Sequence, residues 1–195
     1  LLATCGAGIA WLIVEKIRDG KATSLGAASG IVAGLVAITP ACANVTPLGA
    51  ILIGIIAGAV CAWAVTLKYK LGYDDSFDVV GIHLVGGVVG TLALGFLASD
   101  LAAEGGQNGL LYGGSINLLI VQIIAAAGVL VYSFVLAGII ALVLKSTMGI
   151  REDEEDEVGG IDLAEHAETA YELGDSGGGG VFAGVGHAAR AKEVE

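Results

Sequence analysis

The chain has 195 residues, 55% of them hydrophobic and 15% charged, with a mean hydropathy of +0.83. These values exclude an ordinary soluble domain and place the chain among polytopic membrane proteins. The net charge of −11 is a local feature: thirteen of the twenty acidic residues follow Met148, with Arg151, Arg190 and Lys192 as the bases there, so the remainder is close to neutral.

The chain opens Leu-Leu-Ala-Thr-Cys, inside an apolar run and without a charged region before it. That is not a signal-peptide pattern, and it reads as the interior of a longer protein. Residues 1–14 are too few to span a bilayer and suit the end of a helix. Residues 15–21 form a charged loop with Lys16, Arg18 and Lys21. Between Ala22 and Leu67 no charged residue occurs, enough length for two spans of about 20 residues each, placed over about 22–38 and 47–67. Both prolines, Pro40 and Pro47, fall in the break between them, where each ends or kinks a helix by removing a donor and crowding the preceding turn. A charged loop over 68–78 leads to a span over about 77–99. A loop without bases follows over 100–109, then an uncharged run over 110–144. That last run exceeds what a core roughly 30 Å thick requires, so tilt or protrusion is expected. The transmembrane part is thus 1–147, with its fifth span over about 110–147, and the acidic tail is 148–195.

Lys and Arg occupy alternate loops and the segment just after the last span. The positive-inside rule puts those loops and the tail in the cytoplasm of a multi-pass plasma-membrane protein. Glycines repeat at a spacing of four, at Gly26, Gly30 and Gly34, at Gly54 and Gly58, and at Gly86 and Gly90. Each set lines one helix face, and in lipid such faces pack by close backbone approach. Within the tail, the acidic run 152–157 reads as a solvated segment. Residues 161–173 suit one short helix with Leu163, Ala167, Ala170 and Tyr171 on one face, and 177–180 with the small-residue end reads as flexible.

No basic patch with interleaved aromatics points to nucleic acid. Cys5, Cys42 and Cys61 are odd in number and lie in apolar surroundings, as small buried hydrophobes rather than disulfide or metal ligands. No catalytic triad, zinc-protease helix motif or phosphate loop is present. Ser29 and His83 could form an intramembrane dyad, but without an oxyanion donor beside them. The expectation is therefore no enzyme, no cofactor and no metal.

The residues that stand out run from Tyr73 to Gly90. Asp74, Asp75 and Asp78 precede an apolar span whose one ionisable residue is His83. Ionisable groups inside a span are costly and mark function or pairing. Two readings stay open: an interhelical hydrogen bond that glues the bundle, or a group on a conduit. In an ideal helix His83, Gly87 and Gly90, at i, i+4 and i+7, share one face, directed at close neighbours or a narrow lumen. A charged side chain at the bilayer centre costs from about 3 to more than 10 kcal/mol. A pathway there suits a small neutral species with its proton handled separately.

The run Asp74-Asp75-Ser-Phe-Asp78-Val-Val-Gly81-Ile-His83-Leu-Val-Gly86-Gly87 closely resembles the tenth-helix signature of the ammonium transporter family (Amt/Mep/Rh), in a bacterial- or archaeal-type member. Gly26-Ala-Ala-Ser29-Gly30 followed by Gly34-Leu-Val-Ala-Ile-Thr-Pro-Ala-Cys42 resembles its eighth helix. Gly160-Ile161-Asp162 with His166, Glu168, Ala170 and Tyr171 resembles its tail motif. The resemblance covers about residues 1–173. It implies an all-α membrane fold of eleven helices built on an inverted repeat, assembled as a homotrimer with one pore per subunit. This chain is similar to the end of helix seven through helix eleven plus the tail. By that likeness His83 is the second of two pore histidines, and Val79 lines the same pore. Asp74, Asp75, Asp78, Ser29 and Gly87 are structural residues near it. Asp162, His166 and Tyr171 belong to a tail that contacts a PII-type signalling protein. The pathway deprotonates ammonium and passes ammonia and a proton onward. Two departures bear on this. The other histidine, the phenylalanine gate and the outer aromatic site belong to helices outside this chain, so the fragment alone is expected not to conduct. Ala167 stands where the tail motif usually has glycine. The alternatives are an ammonium sensor acting through its tail, a non-conducting fragment, and a membrane scaffold in which His83 is packing.

Overall fold

A computed structural model describes residues 1–102 and 104–167. Its helices are α1 (Leu2–Asp19), α2 (Ser24–Ile38), α3 (Pro47–Ala64), α4 (Leu67–Leu71), α5 (Val85–Leu97), α6 (Ile116–Thr147), α7 (Glu154–Gly159) and α8 (Ile161–His166). A π-turn, Val80–Leu84, runs into α5, and short 3-10 turns cover Thr39–Ala41 and Leu110–Tyr112. The fold class is therefore all-α. Among the described residues four segments are long and apolar enough to cross a membrane: Ser24–Ala41, Pro47–Leu71, Val80–Leu97 and Ile116–Thr147. The chain divides into two units, Leu1–Val135 and Leu136–Glu195.

In the first unit α1 packs against both α2 and α3, and α5 against α2 and α3. The glycine stripes lie in these seams. A Cβ at Gly30 would sit 2.7 Å from the Trp11 Cβ, and one at Gly54 or Gly58 would overlap the carbonyl oxygens of Ala3 or Ala7. The small residues thus let α1 approach both neighbours at backbone distance, the packing available to helices in lipid. One core cluster holds Trp11, Ala33, Cys61, Ala62 and Ile82, and another holds Ala37, Ala41, Ile53, Ala57 and Leu97.

Local chemistry sets the helix ends. The Thr23 hydroxyl accepts from the Gly26 N–H (2.9 Å), while Thr23 N–H and Oγ1 donate to Glu15 Oε2 and Oε1 at 2.9 and 2.8 Å. The buried Glu15 carboxylate thereby joins the end of α1 to the start of α2. The Arg18 guanidinium donates to the Ala62 carbonyl near the end of α3. Pro47 begins α3 in its first turn, where its missing N–H costs nothing, and Thr46 Oγ1 accepts from Gly49 N–H at 3.2 Å.

Several boundaries differ from the sequence pattern. Helical structure in the His83 segment starts at Val79, after Asp78 in a left-handed conformation (φ 57°), and passes through the π-turn instead of running straight from 77. The long uncharged run is broken at Gly113, also left-handed, before α6 begins. Cys5 and Cys42 are exposed and Cys61 alone of the three is buried, because the first two lie on helix or loop surfaces away from the seams.

In the second unit, part of the acidic run is helical: α7 covers Glu154–Gly159, with Asp153 before it and its acidic residues in the first turn. There the partial positive charge of the unpaired N–H groups offsets their mutual repulsion. The helix expected over 161–173 starts at Ile161 but stops within the described residues. The helix α8 ends at His166, and Ala167 takes a left-handed conformation (φ 52°) that closes it with N–H bonds back to the preceding turn. The proposed shared face of Leu163 and Ala167 is thereby lost. Glu168, Ala170, Tyr171 and the glycine-rich end lie outside the described residues.

Candidate functional site

The site is built at the start of the helix that carries His83. Residues 75–78 form a turn closed by Asp78 N–H donating to the Asp75 carbonyl at 3.2 Å. The Asp75 carboxylate then folds over the helix start, accepting from Val79 N–H at 2.7 Å and Val80 N–H at 3.0 Å. Two of the N–H groups that a helix start leaves unpaired are thus satisfied by a charge of the favourable sign. Asp78 is turned the other way, toward the Lys68 ammonium at 2.7 Å, and the same ammonium donates to the Asp75 carbonyl at 2.9 Å. Ser76 Oγ donates to Asp74 Oδ1 at 3.2 Å. With their oxygens so engaged, Asp75 and Asp78 act here as a frame for the helix start.

Beyond the turn, the helix has a packed side and an open side. On the packed side Ile82 is 5% exposed, and a Cβ at Gly81 would lie 2.7–2.9 Å from Val65. The Cys61 thiol lies 3.9 Å from the Ile82 carbonyl. Gly90 meets Ala37 at backbone distance. On the open side are His83, Val79 at 52% exposure, and Gly87, at which a Cβ would meet nothing within 4 Å. His83, Gly87 and Gly90 therefore do not share one face: Gly90 is in the seam with α2. Gly87 and Gly90 both lie in α5, past the π-turn, and their three-residue offset sets them about 60° apart around the helix, which carries Gly90 into the seam while Gly87 stays open.

The other sequence candidates are distributed. Ser29 is half-buried on α2, on the helix whose glycines face α1. Asp162 and His166 are exposed on α8, and Tyr171 lies outside the described residues. Among the described residues no group of three or more His, Cys, Asp or Glu could hold a metal ion. Two contributors escaped the sequence reading. In the sequence Lys68 stands out only as one charge of a loop, ten residues before Asp78. Val65 supplies the surface that requires Gly81, and an ordinary valine carries no sequence signal of that.

Chemically, the open side is an apolar helical surface with one imidazole on it. A neutral imidazole carries one donor and one acceptor nitrogen, so it can hydrogen-bond a small polar species on that face. The described residues thus form an all-α bundle of long apolar helices with one imidazole on an uncovered apolar face. The Ammonium Transporter Family profile matches residues 1–171, and the chain belongs to that family. It is 55% identical over 182 residues to the ammonium transporter of Mycobacterium bovis, covering 91% of this chain and 38% of that protein. Identity to the Bacillus subtilis ammonium transporter is 46% over 168 residues, covering 85% and 41%. The crystal structure of Candida albicans Mep2 superposes with a TM-score of 0.72 at 33% identity, over 80% of this chain and 35% of that one. A solved "Sensor Amt Protein" superposes at 0.72 with 30% identity, over 84% and 40%. The chain spans about two fifths of the length of the curated relatives it matches.

Proposed function

We propose that this chain is part of a transporter that carries ammonium or ammonia across the plasma membrane, with His83 and Val79 on the wall of its pathway. The observation that carries the reading is the position of His83. It lies on the open side of a helix whose opposite side is packed at backbone distance, in a chain that matches the family over 1–171. The curated relatives named above are ammonium transporters, which supports transport over enzyme chemistry. The remainder of a full-length protein would close the pathway over His83, so the fragment alone conducts nothing. The reading extends to a homotrimer, a cytoplasmic tail, and contact of that tail through Asp162, His166 and Tyr171 with a PII-type protein.

Methylammonium uptake into proteoliposomes holding the full-length protein tests it. His83→Ala is expected to abolish most of the flux with assembly intact; unchanged flux refutes the pathway role. Likeness to the solved sensor protein motivates a second reading, signalling through the tail. Uptake without any tail partner in the full-length protein favours transport, and partner binding without uptake favours sensing.

A further inference from the structure

We infer that Lys68 is a positioning residue for His83: its ammonium fixes the turn from which the His83 helix starts. This rests on the pathway reading of His83 above. One ammonium bridges both corners of that turn, at the Asp75 carbonyl (2.9 Å) and the Asp78 carboxylate (2.7 Å). Each corner is bonded directly into the helix. Asp75 Oδ1 and Oδ2 accept from Val79 and Val80 N–H, and the Asp78 carbonyl accepts from Ile82 N–H at 2.8 Å. His83 is the next residue, inside the π-turn. The ammonium is thus linked by hydrogen bonds through Asp75 and Asp78 to the backbone N–H groups of the turn that carries His83.

Two further observations explain why a cation is needed at this spot. Asp78 sits at φ 57°, a left-handed conformation unfavourable for a non-glycine residue, and the bond to Lys68 engages its carboxylate there. The Lys68 side chain is 15% exposed and Asp78 30%, so the pair is less screened than an open surface pair. Lys68 also stands three residues after Val65, which abuts Gly81. That contact fixes the helix laterally, and the ammonium fixes where along its axis it begins. An apolar π-turn offers many near-equivalent registers, and a start anchored at Asp75 and Asp78 selects one.

The test uses the full-length transporter in proteoliposomes, with initial rates of methylammonium uptake measured over a range of concentrations. Misplacing a reacting group by about 1 Å can cost up to a hundredfold, so Lys68→Met is expected to lower the maximal rate about tenfold. The half-saturating concentration stays unchanged, because the entrance to the pathway is untouched. Lys68→Arg, which still donates to both acceptors, restores most of the rate. A role confined to stability would instead lower the rate only in proportion to folded protein, and that result overturns the assignment. His83→Ala is measured alongside. A wild-type rate in Lys68→Met with a dead His83→Ala refutes positioning alone. A wild-type rate in His83→Ala refutes the pathway reading, and the Lys68 role with it. Should Lys68→Met fail to reach the membrane, Asp78→Asn replaces it. That variant keeps an oxygen for the ammonium but not the charge, and is expected to show a smaller fall in maximal rate at the same half-saturating concentration; no fall refutes the role.

Discussion

At its Asp75 end, the helical segment 79–97 begins in charge: a carboxylate over two N–H groups, an ammonium across the turn, and a carboxylate in a left-handed residue. At its Ser99 end it finishes in backbone. Ser99 N–H donates to the Asn44 carbonyl at 2.9 Å, Gly109 N–H to the Ala98 carbonyl at 2.8 Å, and Ala98 pairs with Val45 in an isolated antiparallel bridge. The Asn108 side chain adds one uncharged bond, from Asp100 N–H at 2.8 Å. Backbone bonds fix a helix end whatever the side chains are, whereas the charged end depends on three named residues. The contrast places the sensitivity of the segment at the end nearest His83.

Between the ends lies a contact on which both depend. Gly90 touches Ala37 at backbone distance, so Gly90→Leu must push the helix off α2. We expect the largest effect here, a loss of about 3 kcal/mol or more, read as a large fall in detergent melting temperature of the full-length protein. At the charged end, Asp75→Ala removes an acceptor for two N–H groups and is expected to cost about 2 kcal/mol, with flux per folded molecule falling as well. At the backbone end, Asn108→Ala deletes one bond and is expected to cost about 1 kcal/mol, with flux per folded molecule unchanged. Equal effects on flux from Asp75→Ala and Asn108→Ala would erase the distinction between the ends.

The smallest effects come from the left-handed residues. Ala167 pays for its conformation without a side-chain partner, so Ala167→Gly is expected to stabilise the tail turn by up to about 1 kcal/mol. Hydrogen exchange of the α8 amides measures this as slower exchange. Asp78→Gly relieves a similar strain but removes the carboxylate bonded to Lys68, and we expect no net gain in melting temperature.

The long helices were legible in the sequence because charge-free runs of that length favour helix, and the glycine spacing identified the seam faces. The π-turn was not legible. In the run Val79-Val80-Gly81-Ile82-His83-Leu84 apolar residues occur on every side, so no polar face reports the helical period. For the same reason the open side was hidden: Val79, Val80 and Leu84 are exposed yet as apolar as buried Ile82. The aspartates could be seen as a group, but their division into a cap (Asp75) and an ion pair (Asp78) depends on the left-handed turn. The helix over Glu154–Gly159 was masked by like charge, which argues against helix unless the acids fall in a first turn, as they do here.

On the proposed function, neighbouring residues of the π-turn have opposite duties, Ile82 packing and His83 facing the pathway. Methylammonium flux and melting temperature of the full-length protein, measured together for Ile82→Val and His83→Ala, test it most directly. Ile82→Val is expected to lose about 1 kcal/mol of stability while keeping its flux per folded molecule. His83→Ala is expected to keep its melting temperature and lose its flux. A stable, fully active His83→Ala, or an Ile82→Val variant that folds normally and does not transport, would contradict the account.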